Sequence, residues 1–298
     1  MKHSVQDHWF PSEGLRCGAS LYLPATQAAA PLILMAHGFG AERTFGLQPF
    51  IERFVDAGMA VFSFDYRCFG NSEGEPRNWV SPRRHLADWQ AALRYVRTLA
   101  EIDPARIGLW GTSFSGGHAL ITAARNPDVG AVMAQVPFVD GLATTRLFSP
   151  GYILESLGHG LADMARMIRG KPAYTVPVVA EPGGGFALLN VPGAKEFMDS
   201  MEPSPSWENA VPARIVLSLA SYRPIRYARK VHCPVLIPYA LHDDLIPASA
   251  VERTIELLPH ARGIPLDVGH FEVYQGACFE HVIAEEVAFF KTHLQVQG

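Results

Sequence analysis

The stretch that most constrains this 298-residue chain runs from Arg106 to Gly117, Arg-Ile-Gly-Leu-Trp-Gly-Thr-Ser-Phe-Ser-Gly-Gly, and continues as His118-Ala119-Leu120-Ile121-Thr122-Ala123-Ala124. Its first half is a short apolar run of the kind that forms a buried strand. Gly111 to Gly117 then make a sharp corner, and the small-residue tail reads as a helix packed closely on a sheet. A strand, tight turn and helix with Ser at the tip is a nucleophile elbow: the residues around the Ser must be small, and its hydroxyl stands clear of the sheet at a helix N-terminus. The usual pattern is G-x-S-x-G. Here Ser115 takes the last place and Gly116-Gly117 follow, which leaves Ser113 and Ser115 as alternatives. Ser113, one residue past the Gly-Thr that ends the strand, is the one this geometry favours.

The chain on either side alternates strands and helices. Val5–Phe10 and Leu15–Leu23, separated by Pro11-Ser12-Glu13-Gly14, read as an antiparallel hairpin. Buried strands are expected at Pro31–Ala36, Ala60–Phe64, Ala131–Val136, Val235–Ile237 and Gly263–Leu266. Helices are expected near Phe45–Ala57, Pro82–Leu99, Ala248–Leu258 and Phe279–Leu294. This rhythm implies an α/β protein with a mostly parallel, doubly wound sheet. It breaks between Asp140 and Arg229, where Pro, Gly and Met are frequent. Only Tyr152–Ile168 looks regular there, an amphipathic helix with Ile153, Leu157, Leu161, Met164 and Ile168 on one face. Residues 1–139 and 230–298 therefore read as the core and 140–229 as a largely helical cap insertion. Its loop Glu181–Phe186 lacks the Gly-Lys-Ser/Thr of a phosphate-binding loop.

Composition narrows the function. With 48% hydrophobic and 18% charged residues and a net charge of −4, there is no basic patch for nucleic acid. Met1-Lys2-His3-Ser4-Val5-Gln6-Asp7-His8 lacks a basic-then-apolar pattern, so no signal segment is expected there, and no apolar run reaches the length of a membrane span. Four scattered cysteines, without C-x-x-C spacing, read as free thiols in a reducing, cytoplasmic setting. A homo-oligomer is compatible with all of this.

A Ser nucleophile needs a His base and a carboxylate to orient it. The chain has 12 His, so position decides. His270, in Asp-Val-Gly-His-Phe-Glu, follows the last strand; Asp243, in His-Asp-Asp-Leu-Ile-Pro, follows the strand before it. Both fall at the carboxyl ends of strands, where chemistry gathers in parallel sheets, in the order Ser, Asp, His.

With these residues in place, the chain resembles an α/β-hydrolase. His37-Gly38-Phe39-Gly40 is similar to that superfamily's H-G-x-G turn, Asp65-Tyr66-Arg67-x-Phe69-Gly70-x-Ser72-x-Gly74 to its D-x-R-G-x-G-x-S segment, and Val268-Gly269-His270-Phe271 to its G-H-x box. The flavour is that of dienelactone-hydrolase and S15-like serine esterases. The resemblance implies Ser113, Asp243 and His270 as catalytic residues, Asp243 being preferred over Asp244 because it stands four residues before Pro247. It also implies the backbone N–H groups of Phe39 and Phe114 as an oxyanion hole, a small-molecule ester or acyl substrate, and no metal or organic cofactor. Cys68 stands where the segment usually has Gly. His37 is expected to brace the oxyanion loop, Asp65 and Arg67 to pair under the elbow, and His85 and Asp88 to serve packing and solubility. The Met residues of the insertion suit an apolar pocket, with Arg146, Tyr152, Arg214 and Arg223 as possible polar anchors.

Overall fold

The computed structural model describes residues 4–25, 29–181, 184–201 and 207–296. The expectations for Met1-Lys2-His3 and for Pro182-Gly183 lie outside the described residues. In chain order the elements are β1 (Ser4–Ser12), β2 (Leu15–Leu23), β3 (Ala30–Ala36), α1 (Gln48–Asp56), β4 (Ala60–Phe64), α2 (Pro82–Val96), β5 (Ile102–Thr112), α3 (Phe114–Arg125) and β6 (Ala131–Gln135). Then come α4 (Gly141–Thr145), α5 (Pro150–Ile168), β7 (Thr175–Val176), α6 (Ala194–Ser200), β8 (Val211–Pro212) and α7 (Val216–Leu219). The chain closes with β9 (Val235–Ala240), α8 (Ala248–Leu257), β10 (Ala261–Leu266) and α9 (Gly276–His293).

Eight strands form one sheet in the order β1-β2-β4-β3-β5-β6-β9-β10. β2 runs antiparallel to both its neighbours, and from β4 to β10 every pairing is parallel. The central strands are apolar on both faces because helices cover both faces. In β3, Leu32, Leu34 and Ala36 enter one core with Trp89 and Leu93 of α2 and Leu120 of α3. The alternate residues Ile33 and Met35 enter a second core with Phe50 and Phe54 of α1 and Phe290 of α9. This two-residue period, read twice, makes the sheet doubly wound. The insertion between β6 and β9 holds α4 to α7 and a small antiparallel pair, β7 with β8.

Several boundaries differ from expectation for local reasons. β1 runs on through Pro11 and Ser12, and the turn narrows to Glu13-Gly14, both at positive φ (43° and 84°), the signature of a tight two-residue hairpin. α1 starts at Gln48 because Gly46 turns at φ 65° and Pro49 occupies the first helical turn. Asp65 and Arg67 do not pair with each other. Asp65 holds Arg43, whereas the buried Arg67 donates to Asp88 (2.5 Å) and to Glu13 (2.7 Å). Asp88 also accepts from Ser12 (2.6 Å), so this carboxylate, far from a solubilising one, ties the hairpin to α2. In α5 the inward residues are Ser156, Gly160 and Asp163, and most of the expected apolar face is exposed.

Glu286 of α9 is fully buried, with Oε2 accepting from Trp110 Nε1 (2.9 Å). Burial pushes its carboxyl up from an ordinary 4.5 to about 8. The folded state therefore holds a proton that the unfolded chain releases, and stability falls as pH rises from about 4.5 through about 8. Glu286→Gln is expected to remove this slope. Urea unfolding across that range would show the variant gaining on the parent at alkaline pH, by an amount on the order of 4 kcal/mol. Parallel pH profiles for the two proteins would contradict this account.

Candidate active site

The corner between β5 and α3 is one residue wide. Ser113 sits at φ 54° and ψ −121°, a region that L-residues avoid at a cost of about 1–3 kcal/mol. Its neighbours hold it there. Its N–H donates to the Gln135 carbonyl (2.9 Å), and its own carbonyl accepts from Gly116 (3.0 Å) and Phe138 (2.8 Å). The corner also requires glycine on both sides: a Cβ at Gly111 would lie 2.3 Å from the Ser115 carbonyl oxygen, and one at Gly117 2.2 Å from that of Phe138. Ser115, which replaces the usual glycine, is fully buried and hydrogen-bonded to Tyr66 Oη (2.9 Å). Tyr66 Oη accepts in turn from Trp89 Nε1 (3.0 Å). The two serines thus differ sharply: Ser115 is locked under the elbow, and Ser113 faces a cavity.

The loops after β9 and β10 bring the other two residues to it. His270 Nε2 is 3.1 Å from Ser113 Oγ, and His270 Nδ1 is 2.6 Å from Asp243 Oδ2. A carboxylate can only accept, so Nδ1 carries the proton and Nε2 is left to accept from the serine. Asp243 is positioned by its other oxygen, which accepts the N–H groups of Leu245 and Ile246 (2.8 Å each). Asp244 is exposed and is not the partner of His270.

The loop after β3 closes the site from the other side. A Cβ built on Gly38 would stand 3.4 Å from Ser113 Cβ, so the backbone leading to Phe39 passes directly over the serine. Phe114, the first residue of α3, packs its ring edge-on against that of Phe39 at 5.4 Å. His37 is buried and donates from Nδ1 to the Gly38 carbonyl (3.0 Å), the bracing expected of it. Burial keeps its imidazole below the ordinary range, as it does for His85 and for His118, which is held at about 3. Two residues that sequence reasoning passed over also shape the site. Trp207 donates to the Gly40 carbonyl (2.9 Å) from an irregular segment with no periodicity to mark it, and Tyr274 pairs with Thr112 at the foot of the elbow. Cys68 has φ 75°, which explains why glycine is usual at that place.

From Ser113 an apolar passage leads into the insertion. A small cavity bounded by Phe39, Phe114, Leu188 and Ile246 shares Phe138, Phe148 and Leu219 with a larger one of about 280 Å³ under α5. Three of the four expected polar anchors are spent elsewhere, and the fourth, Arg146, is exposed. Arg214 is clamped by the buried Asp163 (2.6 and 2.8 Å), Arg223 by Asp140 (2.7 Å twice), and Tyr152 Oη donates to the Ala187 carbonyl (2.8 Å). Met198 lines the pocket beside His270. Among the described residues, no group of three or more His, Cys, Asp or Glu is placed to hold a metal ion, and no helix is long and apolar enough to cross a membrane.

The sheet order and the loop-borne site define an α/β-hydrolase. The chain belongs to the X-Pro dipeptidyl-peptidase (S15) family, whose model matches residues 13–256. It is 40% identical to the quorum-quenching protein AidA of Acinetobacter baumannii (strain MDR-ZJ06) over 292 residues, 98% of this chain and 96% of that one. A thiohydrolase of Eupenicillium brefeldianum is 26% identical, with 90% of this chain and 88% of that protein covered. Among solved structures, the α/β hydrolase GrgF from Penicillium sp. sh18 superposes with a TM-score of 0.83 at 22% identity, covering 98% of this chain and 99% of that one. The protein is thus a hydrolase of this superfamily.

The strain at Ser113 has a measurable sign. At ordinary positions glycine is less stable than alanine by about 0.5–1 kcal/mol. At φ 54° the order should reverse, with Ser113→Gly more stable than Ser113→Ala by about 1 kcal/mol in urea unfolding. An alanine variant as stable as or more stable than the glycine one would mean that the corner is unstrained.

Proposed function

We propose that the chain is a serine hydrolase that cleaves carboxylic esters with an apolar acyl group through an acyl-enzyme. The observation that carries this is the unbroken chain Ser113 Oγ to His270 Nε2 and His270 Nδ1 to Asp243, set at the mouth of an apolar passage. As Ser113 Oγ bonds to the acyl carbon, its proton passes to His270 Nε2, and Asp243 stabilises the imidazolium through Nδ1–H. The carbonyl electrons collect on the oxygen, facing the N–H groups of Phe39 and Phe114; one such donor is worth about 3 kcal/mol of barrier. Collapse expels the alkoxide, which takes the proton from His270. A water then attacks the acyl-enzyme, giving a proton to His270; collapse releases the acid and frees Ser113 Oγ, which takes that proton back from His270. In this reading residues 140–229 act as a cap whose apolar lining holds the acyl chain.

Two features refine the substrate. Among the described residues, those lining the three cavities along this passage include no carboxylate to pair with a peptide's terminal ammonium, which favours an uncharged acyl chain there; a neighbouring cavity that also borders His270 carries Asp244, Asp267 and Glu272. A thioester is the second reading, favoured by the likeness to a thiohydrolase; the same steps apply with a thiolate leaving.

Labelling with a fluorophosphonate probe is the direct test. Label is expected on the parent and on Ser115→Ala and to be absent from Ser113→Ala. Asp243→Asn should keep the fold and lower kcat by about 10⁴. On p-nitrophenyl esters, kcat/KM should rise with acyl length, and Leu188→Trp, at the neck of the passage, should abolish that rise while sparing acetate. A folded parent that takes no label, or a preference confined to charged or very short acyl groups, would contradict the proposal. Matched esters and thioesters of one acid decide between the two readings.

A further inference from the structure

Helix α5 is amphipathic the wrong way round. Its buried side is made of Ser156, Gly160 and Asp163, each with a reason to face inward. Ser156 Oγ donates to the Tyr152 carbonyl (2.7 Å) and borders the large cavity. Gly160 leaves room for Val216, which a Cβ there would meet at 2.6 Å. Asp163 accepts Arg214 Nε and Nη2 together with the backbone N–H groups of Arg214 and Tyr174. These contacts fix the rotation of the helix and hold its leucines outward: Leu154 is 73% exposed, Leu161 61% and Ile168 77%. With Leu157 they form a continuous apolar stripe at helical spacing, about 21 Å long at 1.5 Å per residue.

We propose that this stripe is the contact surface of a homodimer, two copies packing their α5 helices antiparallel about a twofold axis at Leu161. The spacing of the sequence carries the argument, because an isologous interface must complement itself. Leu154 lies seven residues before Leu161 and Ile168 seven after, so a twofold axis there sets each against the other in the second copy. Charge follows the same symmetry. Glu155 lies on one flank of the stripe six residues before the axis, and Arg166 and Arg169 lie on that same flank five and eight residues after it. Antiparallel packing therefore brings Glu155 beside the arginines of the second copy, twice per dimer. An anionic lipid surface would match a uniformly basic flank instead, and Glu155, 56% exposed, interrupts it. Leu157 belongs both to the stripe and to the wall of the large cavity, so the second copy would cover that wall from outside.

Sedimentation velocity on the full chain tests this. The parent is expected at twice the 32.6 kDa of one chain. Leu161→Glu sets two like charges against each other on the axis and should yield monomers with an unchanged circular-dichroism melt. Leu161→Cys, paired with itself across the axis, should form a disulfide-linked dimer on mild oxidation far faster than the parent, whose Cys233 and Cys278 serve as the background. A monomeric parent overturns the proposal. So does a dimer that survives Leu161→Glu and leaves Leu161→Cys unlinked. A monomer that floats with anionic vesicles, and ceases to do so as Leu161→Glu, assigns the stripe to a lipid surface and also overturns it.

Discussion

One residue held at positive φ, against the preference of its own side chain, organises this molecule. Ser113 can stand at the tip of the elbow only because strand β5 and helix α3 meet without a spacer, and that junction closes only where Gly111 and Gly117 let other backbone come within contact distance. The strain is borne by three backbone hydrogen bonds to β6, to α3 and to the segment after β6. The parallel sheet then delivers the remaining groups, since its strands end along one edge and their loops carry His270, Asp243 and Phe39 to the same place.

Beneath that edge a set of buried polar side chains is tied together by hydrogen bonds. Tyr66 links Ser115 to Trp89, His118 meets Tyr222 Oη (2.5 Å), and His37 grips the Gly38 carbonyl. Burial keeps these imidazoles neutral, so they act as shaped, hydrogen-bonding spacers that hold the elbow and its covering loop in register. Above the edge the insertion is fastened by charge. Arg223 with Asp140 ties its two ends, Arg214 with Asp163 fixes α5, and Trp207 reaches down to Gly40. Such polar pins leave the apolar side chains of the insertion free to line a passage.

The parts of this arrangement that were legible in the sequence are those set by local pattern. Continuous apolar runs marked β3, β4, β5 and β6, and the glycines around Ser113 marked the elbow, because close backbone approach leaves no other residue type. Asp243 and His270 could be found because each follows a strand. The pairing of Asp65 and Arg67 could not, since both follow β4 two residues apart and their partners, Arg43 and Asp88, come from distant segments. The direction of α5 was hidden for a similar reason. Its hydrophobic period was evident, but what lies inward was decided by a buried carboxylate seeking Arg214, 51 residues away, and no periodicity records that. Trp207 stood in a stretch without rhythm of any kind.

The claim at the centre is that the hydroxyl at the tip of the elbow becomes covalently acylated. Rapid quenching of the protein with a long-chain p-nitrophenyl ester, followed by intact-mass and peptide analysis, reads this directly. The account predicts a burst of one nitrophenolate per chain and an added acyl mass on the peptide that carries Ser113, at that residue. Steady turnover with no acyl mass on the protein, or acyl mass at Ser115 or elsewhere, would contradict it.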